Sequence, residues 1–203
     1  MKRFFPLFFL LVSGVFAGER PNVLFIAVDD LRPELATYGA KVKTPNLDRF
    51  AASGIRFDRA YCQQAVCGAS RLSIMGGLYP TKTKEQNYHV TGWRKRHPDL
   101  LTMNQHFRAN GYETVGTGKI YHGSGGEGVD PKNWDEWIQV TGKSYVLPES
   151  TAEQRRRIAA NPGKTGKDFR GMTTESADVS DGTYTDGARA LMGVKLISIT
   201  RLN

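Results

Sequence analysis

Pro21-Asn-Val-Leu-Phe-Ile-Ala-Val-Asp-Asp30 is the stretch of sequence on which the predicted fold depends. Its six central residues, 23–28, are all apolar, and half of them are β-branched. A run this short and apolar predicts a central strand of a sheet that is covered on both faces. In open α/β sheets, ligands bind outside the carboxyl ends of the strands. Asp29 and Asp30, which follow the run directly, are therefore expected at the functional edge of the sheet.

Helical and extended patterns alternate after this run. Helices are predicted over 45–53, 67–76, 102–110 and 186–199, and strands over 55–61 and 112–117. In the first of these helices, Leu47, Phe50 and Ala51 share a face. This order predicts an α/β domain with a mostly parallel sheet flanked by helices. Residues 123–182 are rich in Gly, Ser, Lys and Asp and are expected to be largely irregular, with a short exposed helix around 155–157.

Residues 1–17 have the features of a secretory signal peptide. Lys2 and Arg3 precede an apolar run that is too short to span a bilayer, and small residues allow cleavage after Ala17. An uncleaved anchor is the alternative. Cleavage lowers the net charge from +8 to +6, because Lys2 and Arg3 are the only charged residues removed. We expect an exported protein, periplasmic or extracellular, with one domain over 18–203 and no stable membrane span.

The positive charge limits the partners that this domain can have. A basic exported domain suits an anionic partner, although a solvated loop is the simpler explanation of any single run of charge. Nucleic acid is a poor candidate, because export separates the protein from most of it. The densest group of basic side chains is Lys82, Lys84, Arg94, Lys95, Arg96 and His97.

A candidate nucleophile lies in Cys67-Gly-Ala-Ser-Arg71. This segment places a thiol and a permanent cation together at a predicted helix N-terminus, where free N–H groups favour an anion and lower the pKa of a thiol. A buried cysteine beside a surface arginine is the simpler alternative. The other cysteine is Cys62, and two cysteines do not make a disulfide framework. We favour two separate thiols, or one thiol and one modified residue.

Further polar residues are expected at the same sheet edge. Asp29 and Asp30 are ligands of the type that hard divalent metals prefer, although a turn or a helix cap explains such a pair equally well. Lys119 and His122 follow the third predicted strand, and they offer a point charge for an anion and a proton donor or acceptor near neutral pH. Together with Cys67, these residues have a coherent use in the hydrolysis of an anionic ester.

Four stretches of the chain, taken in order, resemble the sulfatase family of the alkaline-phosphatase-like superfamily, and within it the iduronate-2-sulfatase-like branch. They are residues 21–33, 44–49, 60–67 and 118–122, which together span about 100 residues. The resemblance implies the N-terminal catalytic domain of a sulfatase over 18–203. It also implies a sulfuric ester hydrolase that acts on a sulfated sugar or a glycosaminoglycan.

The resemblance also implies roles for particular residues. A formylglycine-generating enzyme would oxidise Cys67 to formylglycine, whose hydrate attacks the sulfate ester and so divides the reaction into two steps. One calcium ion would be held by Asp29, Asp30 and Cys67 and would polarise the sulfate. Arg71 would stabilise the modified side chain, and Lys119 would bind a sulfate oxygen. His122 would assist proton transfer.

The chain departs from the family pattern in two respects. The modification motif usually has Pro two places after the cysteine, where this chain has Ala69, a residue that some members carry. Family members are also longer, and their second pair of metal ligands comes from a later strand. We therefore expect a truncated chain with a weak calcium site, an open sheet edge and little or no activity in isolation.

Three hypotheses about function are therefore open. The first is a secreted sulfatase, and the second is a catalytically incompetent sulfatase remnant that folds poorly or binds anionic glycan. The third is a phosphoesterase of the same superfamily. The spacing of Cys67 and Arg71 argues against the third, because relatives that hydrolyse phosphate esters with Ser or Thr lack this motif.

Overall fold

The computed structural model describes residues 20–122, 129–163, 171–172 and 174–200. The predicted signal peptide lies outside these residues, as do the side chains of residues 199 and 200. Within the described ranges, none of the helices combines the length and the apolar character that crossing a membrane requires.

Short helices make up most of the regular structure. In chain order the α-helices are α1 (Pro45–Ala52), α2 (Cys67–Gly76), α3 (Pro80–Thr83), α4 (Trp93–Arg96), α5 (Met103–Ala109), α6 (Pro148–Ala160) and α7 (Thr185–Thr200). The strands are β1 (Val115–Thr117) and β2 (Glu136–Ile138), and single 3-10 turns lie at Ala36–Tyr38, Pro131–Asn133 and Asp181–Thr183. The two strands pair in parallel, with Gly116 opposite Trp137.

The core lies on the inner face of α2. Five apolar side chains that are at most 3% exposed form it, and they are Leu72, Met75, Val90, Trp93 and Tyr121. A buried polar network borders this cluster, in which the Asn133 amide donates to the Tyr121 hydroxyl at 2.8 Å and to Asp130 at 2.9 Å. Arg94 pairs with the same carboxylate at 2.6 Å. The network therefore provides partners for polar groups that would be costly to bury alone.

The helix predictions are largely confirmed. α1 begins with Pro at its first position, which fixes a helical φ where no intrahelical N–H bond is needed. α5 starts with the predicted capping box, in which the Thr102 side chain accepts from the backbone of Gln105 and the Gln105 side chain bonds back to the Thr102 N–H. α2 ends at Gly77, whose φ of +63° is left-handed. α7 covers the last predicted helix.

The predicted sheet is mostly absent from the described residues. Residues 23–28 and 55–61 are not strands, and large side chains such as Ile26 (70% exposed) and Ile55 (85% exposed) face solvent. The sheet consists of β1 and β2 alone within the described part of the chain. These two strand predictions are wrong for this structure, because a strand requires a hydrogen-bonded neighbour and neither segment has one there.

The expectation for residues 123–182 also needs correction. This stretch contains β2, and it contains α6, whose thirteen residues make it longer than the short helix predicted around 155–157. Glu153 pairs with Arg156 and Arg157 one turn later, which supports this helix on its exposed face. The prediction underestimated this helix because it relied on apolar residues, whereas ion pairs support α6.

Candidate active site

Cys67 occupies the first position of α2, as the sequence predicts. Its neighbour Gly68 allows a close approach, because a Cβ atom there would clash with the carbonyl oxygen of Tyr88 and lie 3.0 Å from the side chain of Val90. Only a residue without a side chain therefore lets the loop 87–90 lie against the first turn of α2. The first turn of α2, which begins with Cys67, therefore lies directly against this loop.

Cys67 contacts one of the predicted site residues directly. Its Sγ atom lies 3.1 Å from Nδ1 of His122, within hydrogen-bonding distance, although the two residues are 55 positions apart in the chain. A nucleophile and a base in contact are the arrangement that covalent catalysis uses. This pair therefore joins the start of α2 to the segment that follows β1.

Arg71 holds the site together from one turn further along α2. Its guanidinium donates to the carbonyl oxygens of Lys119 and Ile120 at 2.6 and 3.2 Å, and to the Asp29 carboxylate at 2.6 Å. Only about a tenth of the Arg71 side chain is exposed. A buried guanidinium whose fixed donors bond to three partners sets the relative positions of the segments that carry them.

Asp29 lies between two cations. Lys119 donates to its Oδ2 at 2.5 Å while Arg71 donates to its Oδ1. Partial burial raises the pKa of Asp29, but the hydrogen bonds from Lys119 and Arg71 lower it more, so the net pKa lies below the ordinary value. The carboxylate is therefore ionised at neutral pH. It is held by the two cations that the resemblance assigns to other tasks, Arg71 to the modified side chain and Lys119 to a sulfate oxygen.

His122 is surrounded by rings as well as by charge. The ring centroid of Tyr88 lies 4.3 Å from that of His122, and the His89 centroid lies 5.4 Å from it. Desolvation lowers the pKa of His122, and the nearby charges of Lys119 and His89 lower it further. The imidazole is therefore neutral near pH 7, which is the form that accepts a proton from Cys67 or from a hydroxyl.

Several of the candidate site residues line an open cleft of about 460 Å³. Asp29, Asp30, Cys67 and Arg71 line it, together with apolar residues of the segment 25–31. Asp30 has a positive φ of 53°, which is uncommon for a residue other than glycine. The structure thus forms two groups of contacts, Asp29 with Arg71 and Lys119, and Cys67 with His122. Both groups join α2 to the segment 119–122, and Asp30 lies in the same cleft as Asp29 and Cys67.

The candidate metal ligands do not form a complete metal site. Within the described ranges, no three His, Cys, Asp or Glu side chains converge in a way that could hold one. Both oxygens of Asp29 are engaged by cations. A divalent ion would have to compete with these two positive charges for the same oxygens, so the arrangement favours weak binding at most.

Three of the six side chains in the predicted basic group are paired within the protein. Arg94 binds Asp130, and both Arg96 and His97 contact Glu85. These three side chains therefore support the fold, and they are not free for an anionic partner. Sequence reasoning also missed Tyr88 and His89, because they lie in an irregular loop with no periodic signal.

Comparisons with known proteins agree with this chemistry. The family profile described as Sulfatase matches residues 21–194 of this chain. Iduronate 2-sulfatase of Homo sapiens is 43% identical over 177 residues, which cover 87% of this chain and 31% of the human protein. Iduronate 2-sulfatase of Mus musculus is 32% identical over 190 residues, covering 91% of this chain and 33% of the mouse protein.

A bacterial relative shows that the similarity extends beyond that branch. N-acetylgalactosamine-6-O-sulfatase of Bacteroides thetaiotaomicron is 34% identical over 119 residues, which cover 55% of this chain and 22% of that protein. The chain spans about a third of the length of the two iduronate 2-sulfatases. The matched region includes every candidate site residue named above.

Proposed function

This chain belongs to the sulfatase family, and on that premise we propose that it carries the nucleophile half of a site that hydrolyses sulfate esters of a sulfated sugar or glycosaminoglycan. The observation that carries the proposal is the double contact between α2 and the segment 119–122, in which Cys67 meets His122 and Arg71 bonds to the carbonyls of Lys119 and Ile120. It brings a nucleophile position, two cations and a neutral imidazole together. Such groups accelerate the hydrolysis of an anionic ester by proton transfer and by stabilising negative charge.

Each of these residues has a physical task in that reaction. Arg71 is anchored to two backbone carbonyls, so its charge is fixed beside the first turn of α2, where it stabilises negative charge. Lys119 supplies a second positive charge for a sulfate oxygen. His122, in contact with the side chain of residue 67, takes or returns a proton there.

We propose that Cys67 is converted to formylglycine by a formylglycine-generating enzyme. The modified residue supplies a hydrate oxygen as nucleophile in place of the thiol. Ala69 follows two places later, on a buried face of α2. Peptide mass spectrometry of the exported chain tests the modification, since conversion of the thiol to the aldehyde lowers the mass of the peptide that contains Cys67 by about 18 Da.

Calcium binding at Asp29, Asp30 and Cys67 is proposed as a weak interaction. The two carboxylates are suitable ligands in kind, but Asp29 is paired with Arg71 and Lys119. Calcium must therefore compete with two cations for the same oxygens. Titration calorimetry of the exported chain tests this, and we expect a dissociation constant in the millimolar range, as in weak extracellular sites.

The wider context is proposed from the family as well. We place residues 18–203 in the N-terminal part of an alkaline-phosphatase-like α/β catalytic domain, exported by a signal peptide at 1–17. The partners are then a sulfated carbohydrate and the formylglycine-generating enzyme. The relatives include an N-acetylgalactosamine-6-O-sulfatase, and the proposed substrate is accordingly a sulfated sugar.

A non-catalytic role is the second candidate, and one observation favours it. The described residues do not form a metal site, and Asp29 neutralises part of the positive charge of Arg71 and Lys119. In this second candidate role, the chain binds a sulfated glycan without hydrolysing it. Binding of a sulfated monosaccharide without release of sulfate distinguishes this role from catalysis.

The deciding experiment is sulfate release by the exported chain, co-expressed with a formylglycine-generating enzyme. The substrates are 4-nitrophenyl sulfate, a sulfated monosaccharide and 4-nitrophenyl phosphate. Release is expected to be slow, because the chain carries only the nucleophile half of the site. Any release is expected to be abolished by Cys67→Ala and retained by the matched thiol variant Cys62→Ala. Failure of the modified chain to release sulfate supports the non-catalytic role, and faster release of phosphate than of sulfate contradicts both.

A further inference from the structure

The loop 87–90 lies directly beside the candidate nucleophile. It packs so closely on the first turn of α2 that Gly68 has no room for a side chain. Two residues of this loop, Tyr88 and His89, are exposed, and none of the roles proposed above uses them as contacts for substrate. Both rings lie close to His122, so they are near enough to contact an ester that is bound at Cys67.

The loop is anchored, so its exposed side chains have defined positions. Val90 is 2% exposed and packs in the core with Trp93, which is also 2% exposed. These two buried residues flank the turn at Gly92, which has a left-handed φ of +66°. Side chains on a backbone that is fixed at one end lose less freedom when they bind a ligand.

The two rings form a continuous edge with His122. Tyr88 and His89 lie 4.7 Å apart at their centroids, and Tyr88 packs against His122 at 4.3 Å with an interplanar angle of 61°. Tyr88 is nevertheless 41% exposed. One part of its ring therefore contacts the imidazole, while another part is open to solvent beside it.

This edge lies apart from the charged side of the site. The cleft that contains Asp29, Asp30 and Arg71 is lined by residues 25–31 and by α2, and neither Tyr88 nor His89 lines it. A sulfate ester has a charged end and an alcohol end. If the charged end lies among the cations, the alcohol extends past the nucleophile toward another surface, and the exposed rings provide one.

We propose that Tyr88 and His89 form the subsite for the alcohol portion of the ester, with a sugar ring packed on the face of Tyr88 and a hydroxyl bonded to His89. This inference rests on the proposed sulfatase function. An aromatic ring offers apolar area at a low entropic cost and carries a polar end. An imidazole nitrogen donates to or accepts from a hydroxyl in either tautomer. The pair thus selects a polyhydroxylated ring over a bare anion.

The test compares two ligands that share the sulfate group and differ in the alcohol. The full exported chain is titrated with inorganic sulfate and with a monosaccharide O-sulfate, and binding is followed by calorimetry. Tyr88→Ala is expected to weaken binding of the sugar sulfate by about three- to tenfold, the range of a lost aromatic contact. Binding of inorganic sulfate is expected to stay within a factor of about two of the wild type.

Conservative and matched variants separate recognition from a structural effect. Tyr88→Phe keeps the ring and is expected to keep most of the affinity for the sugar sulfate, while His89→Ala is expected to lose part of it. Tyr79→Ala and His106→Ala remove an exposed tyrosine and an exposed histidine from other parts of the surface. Both controls are expected to bind the two ligands as the wild type does.

Two results overturn the inference in distinguishable ways. If Tyr88→Ala weakens both ligands equally, or neither, the rings position His122 or serve the fold and do not contact the alcohol. If the wild-type chain binds neither inorganic sulfate nor the sugar sulfate, the proposed function fails and this subsite fails with it.

Discussion

Residues 67–122 and residues 22–61 differ sharply in how they are packed. In the first region, Leu72 and Trp93 are each 2% exposed and belong to one core cluster. In the second, Ile26 is 70% exposed and Phe50 is 76% exposed, although both are large and apolar. We call these the packed region and the open region. The open region is the richer in apolar residues, with 20 of 40 against 19 of 56 in the packed region, so composition does not explain the difference.

The candidate site is divided between these two regions. The packed region holds Cys67, Arg71, Lys119 and His122, whereas the open region contributes Asp29 and Asp30. The ion pairs of Asp29 with Arg71 and Lys119 join the two halves. The comparison teaches that burial fixes Arg71, whereas Asp29 is held by partly exposed ion pairs.

The largest expected effect is the loss of a core side chain from the packed region. Leu72→Ala leaves a cavity beside Trp93 and Tyr121, and we expect it to lower the free energy of unfolding by about 2–4 kcal/mol. Ile26→Ala in the open region is the matched control, with an expected change below about 0.5 kcal/mol. Urea unfolding measures both. An equal effect of the two would show that the open region is buried in solution, and the comparison would then be wrong.

The second test removes the guanidinium that joins the regions. Arg71→Met keeps an apolar stem but leaves the Lys119 and Ile120 carbonyls and the Asp29 carboxylate without their donor. We expect a loss of about 2 kcal/mol in the free energy of unfolding. Arg32→Ala, which breaks an exposed pair with Glu34, is expected to cost about 0–0.5 kcal/mol. Similar losses for the two variants would contradict the anchoring role of Arg71.

The third test concerns the close approach at the start of α2. Gly68→Ala forces the loop 87–90 away from the helix, and we expect a loss of about 1–2 kcal/mol. Gly193→Ala, in α7 with no atom near the added methyl, is expected to gain up to about 1 kcal/mol. Thermal unfolding monitored by circular dichroism measures both changes. A neutral Gly68→Ala variant would mean that the loop does not pack on α2 in solution.

The smallest expected effect concerns Asp29, the link between the two regions. Asp29→Asn removes the charge that pairs with Arg71 and Lys119, so the open region is expected to loosen. We expect a protease to cleave within residues 22–34 roughly two- to fivefold faster, because a partly exposed ion pair contributes little to the free energy of local opening. Asp58→Asn, which weakens an exposed pair with Arg56, is the control and leaves that rate unchanged.

The pH dependence of the same cleavage follows from the pKa of Asp29. Because the folded pKa lies below the ordinary value of 3.8, the ion pairs add stability that is fully present above pH 3.8. This contribution is lost as the pH falls through the lower, folded pKa. The difference between the wild type and Asp29→Asn is therefore expected to be constant from about pH 5 to 8 and to vanish in stronger acid.

Local rules predicted the helices well. The capping box at Thr102, the proline that opens α1 and the glycine that ends α2 each act within a few residues, so their effect can be read without the rest of the molecule. The strands were predicted less well. An apolar run such as 23–28 has the composition of a strand, but pairing depends on distant segments that sequence pattern does not supply.

The sequence by itself predicted the candidate site residues, several helix boundaries and the family, because these depend on residue identity and short spacing. It also placed Asp29, Cys67, Arg71, Lys119 and His122 in one site. Only the tertiary structure decided how these residues pair. Contacts between residues far apart in the chain depend on how the segments fold together, which sequence spacing does not give. In the folded chain, Asp29 pairs with two cations, and His122 contacts both Cys67 and Tyr88.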